Sequence, residues 1–382
     1  MAPREFFDAA LLERFRPELR YDRQYDYRTT AVETMIDNPG NLLRRFDGEV
    51  IARAGGAPAL SLALLTGYPD GLEPRADDCV CQAPDSLGDA RRMEREGRYS
   101  DRVYGRCVED GGRTWLQYWF WLYGNPKNLF GFGKHEGDWE MIQVGLAADG
   151  SPEVLTYAQH NSGEAHRADE QAVEFVAAGT GRHPVVYVAP LSHASYFEAE
   201  THPYFVGIDH PFGDGPRARP PVHEFGEWKR FKGRWGNSER VIARKIGDGP
   251  PSPADQGSKW TQPARWHRSM KRRRLRVLLG RLVHAIGRWT YPPRPTITAH
   301  AHRQRVEVGY ELAGHGLRTA RHVYITVNDG EDVVASRAVR SPARTGSESL
   351  RVPAPGENLT VWASGFNRLR QRSDLVSTTP RM

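Results

Sequence analysis

The chain has 382 residues, 39% hydrophobic and 26% charged, with three cysteines and a formal net charge of +6. That is the composition of a globular protein long enough for two cores, and it excludes collagen-like, disordered and disulfide-scaffold classes. The positive excess rests on arginine, with seven lysines in the chain, and arginine usage also follows coding composition, so no specific nucleic-acid partner is implied.

The N-terminal stretch MAPREFFDAALLERFRPELRYD carries acidic residues where a secretion signal needs an uninterrupted apolar core, and no window reaches ~18 apolar residues. The expectation is a cytoplasmic chain without a transmembrane segment. Within it, DAALLERFR reads as a helix capped by Asp8, with Leu11, Leu12 and Phe15 on one face. Short apolar runs broken by Gly, Pro and Asp between Gly55 and Ser100 predict loops. Cys79, Cys81 and Cys107 are odd in number and lack the second thiol pair of a structural zinc site, so they read as reduced and incidental.

From Thr114 the aromatic run TWLQYWFWLYGN predicts a central strand. WEMIQVGL, EVLTYAQH and HPVVYVAPLSHASYF follow as strands, and AADGSP joins the first two as a hairpin, which favours antiparallel pairing. ADEQAVEFV predicts one helical insertion. Residues 208–268, rich in Gly, Pro, Trp and Arg, predict an ordered wrap, because ten tryptophans are too costly to leave in water. Residues 271–289 predict a basic amphipathic helix, with Leu275, Leu278, Leu279, Leu282, Val283 and Ile286 on one stripe and Pro292 and Pro293 stopping it. Beyond the prolines, TITAHAHRQRVEVGYEL, HVYITVNDG, SLRVPAP and LTVWASGFN predict a small sandwich. The fold class expected is mainly β: an antiparallel β-sandwich with helical and loop insertions over 1–268, a helical linker over 269–291, and a fibronectin- or immunoglobulin-like sandwich over 292–382.

GFGKHEGDWEMIQVGL places four ionisable groups at the mouth of a strand. On an extended chain Asp138 and Glu140 share a face with Ile142 and Val144, opposite Trp139, Met141 and Gln143. Two carboxylates this close disfavour each other's ionisation unless a cation sits between them, and oxygen donors select magnesium or calcium. His135, just before the strand, adds a nitrogen donor. His160 and His193 end or follow the neighbouring strands, where either is placed to act as a general base. The plainer alternative is a set of solvated turn residues paired with arginines. HEGDW lacks the second histidine of HExxH, with Trp139 in its place, and GFGKHEG is not GxGxxG, so neither a zinc protease nor a dinucleotide binder is supported.

WLQYWFWLYGN, GKHEGDWEMIQVGL, YAQH, PVVYVAPLSHASYF and GRWG, in this order over residues 99–266, resemble the vacuolar protein sorting-associated protein 62 family. The HEGDWE segment is also similar, more distantly, to the GHRHDWE heptapeptide of necrosis- and ethylene-inducing cytolysins. That resemblance implies a β-sandwich holding a divalent cation through the residues matching His135, Asp138 and Glu140. Glu136 and Gly137 depart from the heptapeptide, and lysis of plant cells is not carried over.

Two functions compete. In the first, a cation-binding sandwich recruits an anionic lipid headgroup or glycan, with peripheral membrane contact through 271–289. In the second, a metal-dependent hydrolase uses cation-activated water with His160 or His193 as base.

Overall fold

The structure is a computed structural model that describes residues 3–24, 28–45, 48–81, 92–93, 96–99, 101–125, 135–159, 162–190, 192–199, 202–204, 207–209, 211–236, 240–241, 244–245, 249–271, 292–330, 332–353, 358–366, 373 and 375–381. The chain is mainly β and forms two compact units: Met1–Arg20, Tyr27–Glu198 and Arg217–Arg274 make the first, and Tyr21–Asp26, Ala199–Pro216 and Leu275–Met382 the second.

The largest sheet of the first unit runs β1 (Arg4–Phe6), β6 (Val103–Asp110), β7 (Arg113–Asn125), β8 (His135–Leu146), β9 (Pro152–Gln159) and β10 (Ser162–Arg167), each antiparallel to the next. β17 (Val222–Glu224) adds in parallel to β6. A second sheet orders β11 (Phe175–Ala178), β12 (Gly181–Val188), β2 (Glu18–Arg20) and β16 (Arg217–Ala218), with β13 (Ser195–Tyr196) also on β12. A third orders β18 (Arg234–Trp235), β5 (Cys79–Cys81), β3 (Leu42–Arg44) and β4 (Val50–Arg53), and β19 (Arg240–Val241) pairs with β20 (Arg244–Lys245). Helices among the described residues include α1 (Ala9–Arg14), α2 (Glu33–Asp37), α3 (Ser258–Thr261) and α4 (Pro263–Lys271). Asp8 caps α1 as expected, accepting from the Leu11 N–H at 2.9 Å, which satisfies one of the open donors of the first turn.

The aromatic run is the central strand β7, and it is aromatic throughout because both of its faces are covered. Trp119, Trp121 and Tyr123 enter one core with Trp139, Met141, Trp228, Trp235, Trp260 and Trp266. The wrap therefore delivers four tryptophans to the core; Trp228 stacks on Trp139 with centroids 5.7 Å apart, and Trp260 lies 5.7 Å from Trp119. On the other face, the Tyr118 hydroxyl donates to Leu12 O and the Tyr157 hydroxyl to Val185 O, both at 2.9 Å. These bonds fasten the first sheet to α1 and the second sheet while meeting the need of each buried hydroxyl.

ADEQAVEFV is not a helix. Residues 168–174 are turn and extended chain, and Phe175–Ala178 form β11, hairpinned to β12 through Gly179 and Thr180. Local spacing favoured helix, but the Glu170 carboxylate takes the Arg167 N–H at 3.2 Å to close a turn, and edge pairing with β12 claims the rest.

The second unit carries the hairpin β14 (His202–Tyr204) and β15 (Gly207–Asp209) and a seven-strand sandwich. β21 (Thr296–His302), β22 (Arg305–Glu311) and β25 (Thr345–Arg351) make one sheet; β24 (Asp332–Arg340), β23 (His322–Asp329), β26 (Leu359–Phe366) and β27 (Val376–Thr378) make the other. The fourth strand joins the third rather than the first two, unlike the immunoglobulin constant arrangement. Its core is nearly all aliphatic: Ile297, Val306, Val308, Val323, Ile325, Val327, Leu350 and Val361. Of the amphipathic segment 271–289, Lys271 ends α4 and the remainder lies outside the described residues.

Candidate functional site

The HEGDWE segment is strand from its first residue, since β8 opens at His135 rather than at Trp139. Gly137 takes φ +64° inside the strand, and a Cβ there would run into the Trp121 ring and come within 2.6 Å of Trp235 O. Only glycine meets both demands, left-handed backbone and contact with the tryptophan core. After this turn the strand resumes its alternation, with Asp138 opposite Leu122, Trp139 opposite Trp121, and Glu140 opposite Phe120. Both carboxylates consequently lie on one face, at 8% and 6% exposure, while Trp139 enters the aromatic core. Buried carboxylates are retained only where charge or hydrogen bonds compensate their lost hydration.

His193 comes to this pair from the turn between β12 and β13. It is 2% exposed, holds φ +56° and donates its backbone N–H to Ala189 O at 3.0 Å. A left-handed conformation costs a non-glycine residue about 1–2 kcal/mol, and here it aims the imidazole at β8, where Nδ1 donates to Asp138 Oδ2 at 3.0 Å. That bond fixes the rotamers of both side chains.

A third participant was invisible to sequence reasoning. Gln117 on β7 donates through Nε2 to Gln143 Oε1 at 3.0 Å and to Lys259 O at 2.6 Å, and Gln143 donates to Pro263 O at 3.1 Å. This buried amide pair pins α3 and the start of α4, and with them Lys259. Burial lowers the Lys259 pKa, against the opposing pull of Glu140 and, to a lesser degree, Asp138. Lys259 therefore lies within electrostatic reach of both carboxylates. The only local signal in GSKWT is a scarce lysine beside a tryptophan destined for the core.

The structure thus joins His193 to Asp138 and sets Lys259 within electrostatic reach of Glu140 and Asp138. His160 and the side chain of His135 lie outside the described residues. Among the described residues no three His, Cys, Asp or Glu side chains converge as a complete metal shell. The donor chemistry of Asp138 and Glu140, hard oxygens on one face of β8, fits part of a shell for magnesium or calcium.

A second buried cluster occupies β10 and the turn after it. His166 donates from Nε2 to Glu164 Oε1 at 2.8 Å and from Nδ1 to Glu170 Oε2 at 2.7 Å, and Gln159 donates to Glu164 Oε2 at 3.2 Å. Burial alone would lower the His166 pKa, but the two carboxylate bonds outweigh it and raise it. The Phe197 ring meets His166 edge-on at 4.7 Å and stacks on Tyr157 at 3.7 Å. With both ring nitrogens engaged, this histidine is a structural clamp. Glu164 and His166 stand two apart on a strand, a same-face signal that was available in EAHRADE.

No protein-family model matches the chain, and no curated protein is similar to it, so the likeness to the vacuolar protein sorting-associated protein 62 family rests on the quoted motifs. Among solved structures, one described as a toxin fold as basis for microbial attack and plant defense is similar at 17% identity over 59% of this chain and 78% of that one, with TM-score 0.29. NLPPya in complex with glucosamine is similar at 16% identity, over 61% and 82%, with TM-score 0.30. NLPPya in complex with mannosamine is similar at 15% identity over the same shares, also with TM-score 0.30. Similarity at these scores carries no inference about this chain. Its own residues define a mainly-β protein whose first unit buries Asp138, Glu140 and His193.

Proposed function

We propose that the first unit binds a divalent cation, magnesium or calcium, through Asp138 and Glu140 with His135, and through it an anionic lipid headgroup or glycan. The observation that supports this most directly is the pair of carboxylates on one face of β8, both on buried residues. Two such oxygen donors, one oriented by the His193 imidazole, are part of the oxygen-rich shell a hard cation takes. Bound there, the cation would offer its remaining positions to a ligand's oxygens. Peripheral membrane contact through 271–289 belongs to the same proposal.

Thermal melts of the whole chain with calcium, magnesium or chelator test it. A site formed only in the native state raises the melting temperature with cation concentration, and Asp138→Asn, nearly isosteric but a weaker ligand, should abolish the rise. An unresponsive parent protein sinks the proposal. Co-sedimentation with anionic vesicles and binding to immobilised glycans, each with cation or chelator, then separate the two ligand classes.

The hydrogen bond from His193 to Asp138 supports a second reading, a hydrolase in which a carboxylate orients an imidazole base. Cation-dependent hydrolysis of an ester or phosphoester, lost in His193→Gln while cation binding survives, is the result that would favour it.

A further inference from the structure

The chain around the end of α1 faces the β11–β12 hairpin across an open cleft of about 490 Å³, lined in part by Glu13, Arg14, Arg16, His183 and Arg219. The His183 imidazole is buried, at 4% exposure, and pinned: Nδ1 donates to Arg16 O at 2.8 Å, since a carbonyl can only accept. Its other nitrogen, Nε2, has no hydrogen-bond partner among the described residues. Gly181 also lines the cleft and leaves room for the ring, because a Cβ there would run into Nε2. A buried ring nitrogen left open beside a cavity calls for a partner from solution.

The charge around that nitrogen is positive. Glu13 is already committed, its Oε1 taking the Val222 N–H at 2.7 Å and its Oε2 the Arg16 Nη1 at 2.9 Å. Arg16 Nε stays buried without a partner among the described residues. Arg219 Nε lies 4.0 Å from Glu18 Oε2, but Glu18 sits nearer to Arg20 Nε, at 3.2 Å. Arg14 covers the Phe15 ring at 5.1 Å and makes no ion pair among the described residues. The C-terminal end of α1 opposes an anion with about half a negative charge at most. Three guanidiniums against one carboxylate outweigh it, and their planar donors match phosphate oxygens.

We infer that this cleft binds a phosphomonoester, its phosphate held by Arg14, Arg16 and Arg219 and sharing one proton with His183 Nε2. A phosphomonoester loses its second proton near pH ~6, so the hydrogen bond forms from either side. The P–OH of the monoanion donates to neutral imidazole, and imidazolium donates to the dianion. Sulfate has no proton to give at neutral pH and meets only half of this arrangement. The volume leaves room for an organic group beyond the phosphate. None of these residues belongs to the Asp138 and Glu140 pair, so the site stands apart from the cation proposal.

Titration calorimetry of the full chain with phenyl phosphate and with sulfate tests this, with EDTA present so that no cation carries the anion. The expected result is one phenyl phosphate per chain, bound roughly tenfold tighter than sulfate. His183→Asn keeps a donor for Arg16 O in the place of Nδ1 and removes Nε2. It should weaken phenyl phosphate roughly tenfold and leave sulfate nearly unchanged. Arg14→Ala combined with Arg219→Ala, both at exposed positions and so independent of any loss of folding, should weaken both anions. The expected loss is roughly two- to fivefold per arginine, and smaller at high salt. Co-sedimentation with phosphatidylcholine vesicles carrying phosphatidic acid separates the sources of the group. Retention lost in the double variant assigns a lipid headgroup; no retention, with phenyl phosphate still bound, assigns a soluble ester. Parent protein that binds no phenyl phosphate at millimolar concentration, that binds sulfate as tightly, or that loses no affinity in either variant overturns the inference.

Discussion

The two units solve the problem of a β core in different ways. The second closes its sandwich with Val, Ile, Leu and Ala from both sheets, and its strand β22 alternates buried and more exposed residues along its length. The first buries both faces of its central strands, and alternation gives way to continuous burial from Trp115 to Gly124. A strand covered on both sides has no solvent face for its polar residues. The first unit therefore carries its ionisable groups inside, at Asp138, Glu140, Glu164, His166, His193, Arg45 and Asp78. Ionisable groups are concentrated where both faces of the strands are covered.

The largest effect should come from breaking that polar interior. Lys259→Met removes the amine whose charged form Glu140 and Asp138 favour, and leaving those buried carboxylates without a counter-charge costs about 3–5 kcal/mol. Urea denaturation should show this loss near neutral pH and show it shrinking at acid pH, as carboxylates protonate. Calcium or magnesium should restore more stability to this variant than to the parent if Asp138 and Glu140 hold the cation.

In the apolar sandwich the matching experiment is Ile325→Ala, at a fully buried position. A cavity there should cost about 2–5 kcal/mol and leave the cation response of the first unit unchanged. A changed cation response would show that the two units do not behave separately.

A smaller effect is expected at the closed clamp. His166 is charged when it donates to both Glu164 and Glu170, and its pKa is raised by folding. Its contribution is therefore fully present below the unfolded value of about 6.5 and is lost as pH rises through the folded value. Replacing it with Gln should cost about 1.5–3 kcal/mol on the acid side, and much less on the alkaline side. Denaturation of parent and variant across that range measures the difference, and a constant gap would mean that His166 is neutral in the fold.

The smallest is the helix cap. Asp8→Ala removes the acceptor of the Leu11 N–H and should cost about 1 kcal/mol, in the first unit's transition alone.

Sequence by itself determined what depends on neighbours along the chain. The Asp8 cap, the aromatic strand β7, the hairpin through Ala147–Ser151 and the alternating strands of the second unit all follow from local spacing and turn chemistry. So does the shared face of Asp138 and Glu140, because strand alternation is a local property. Tertiary structure decided the rest. ADEQAVEFV became turn and edge strand because pairing with β12 outweighed its helical spacing. His193 reached Asp138 only because a left-handed turn aims it there, and Lys259 reached Glu140 only because two buried glutamines hold a distant segment in place. Contacts between segments far apart in the chain arise from packing and hydrogen-bond satisfaction across the whole unit, and no window of sequence contains those terms.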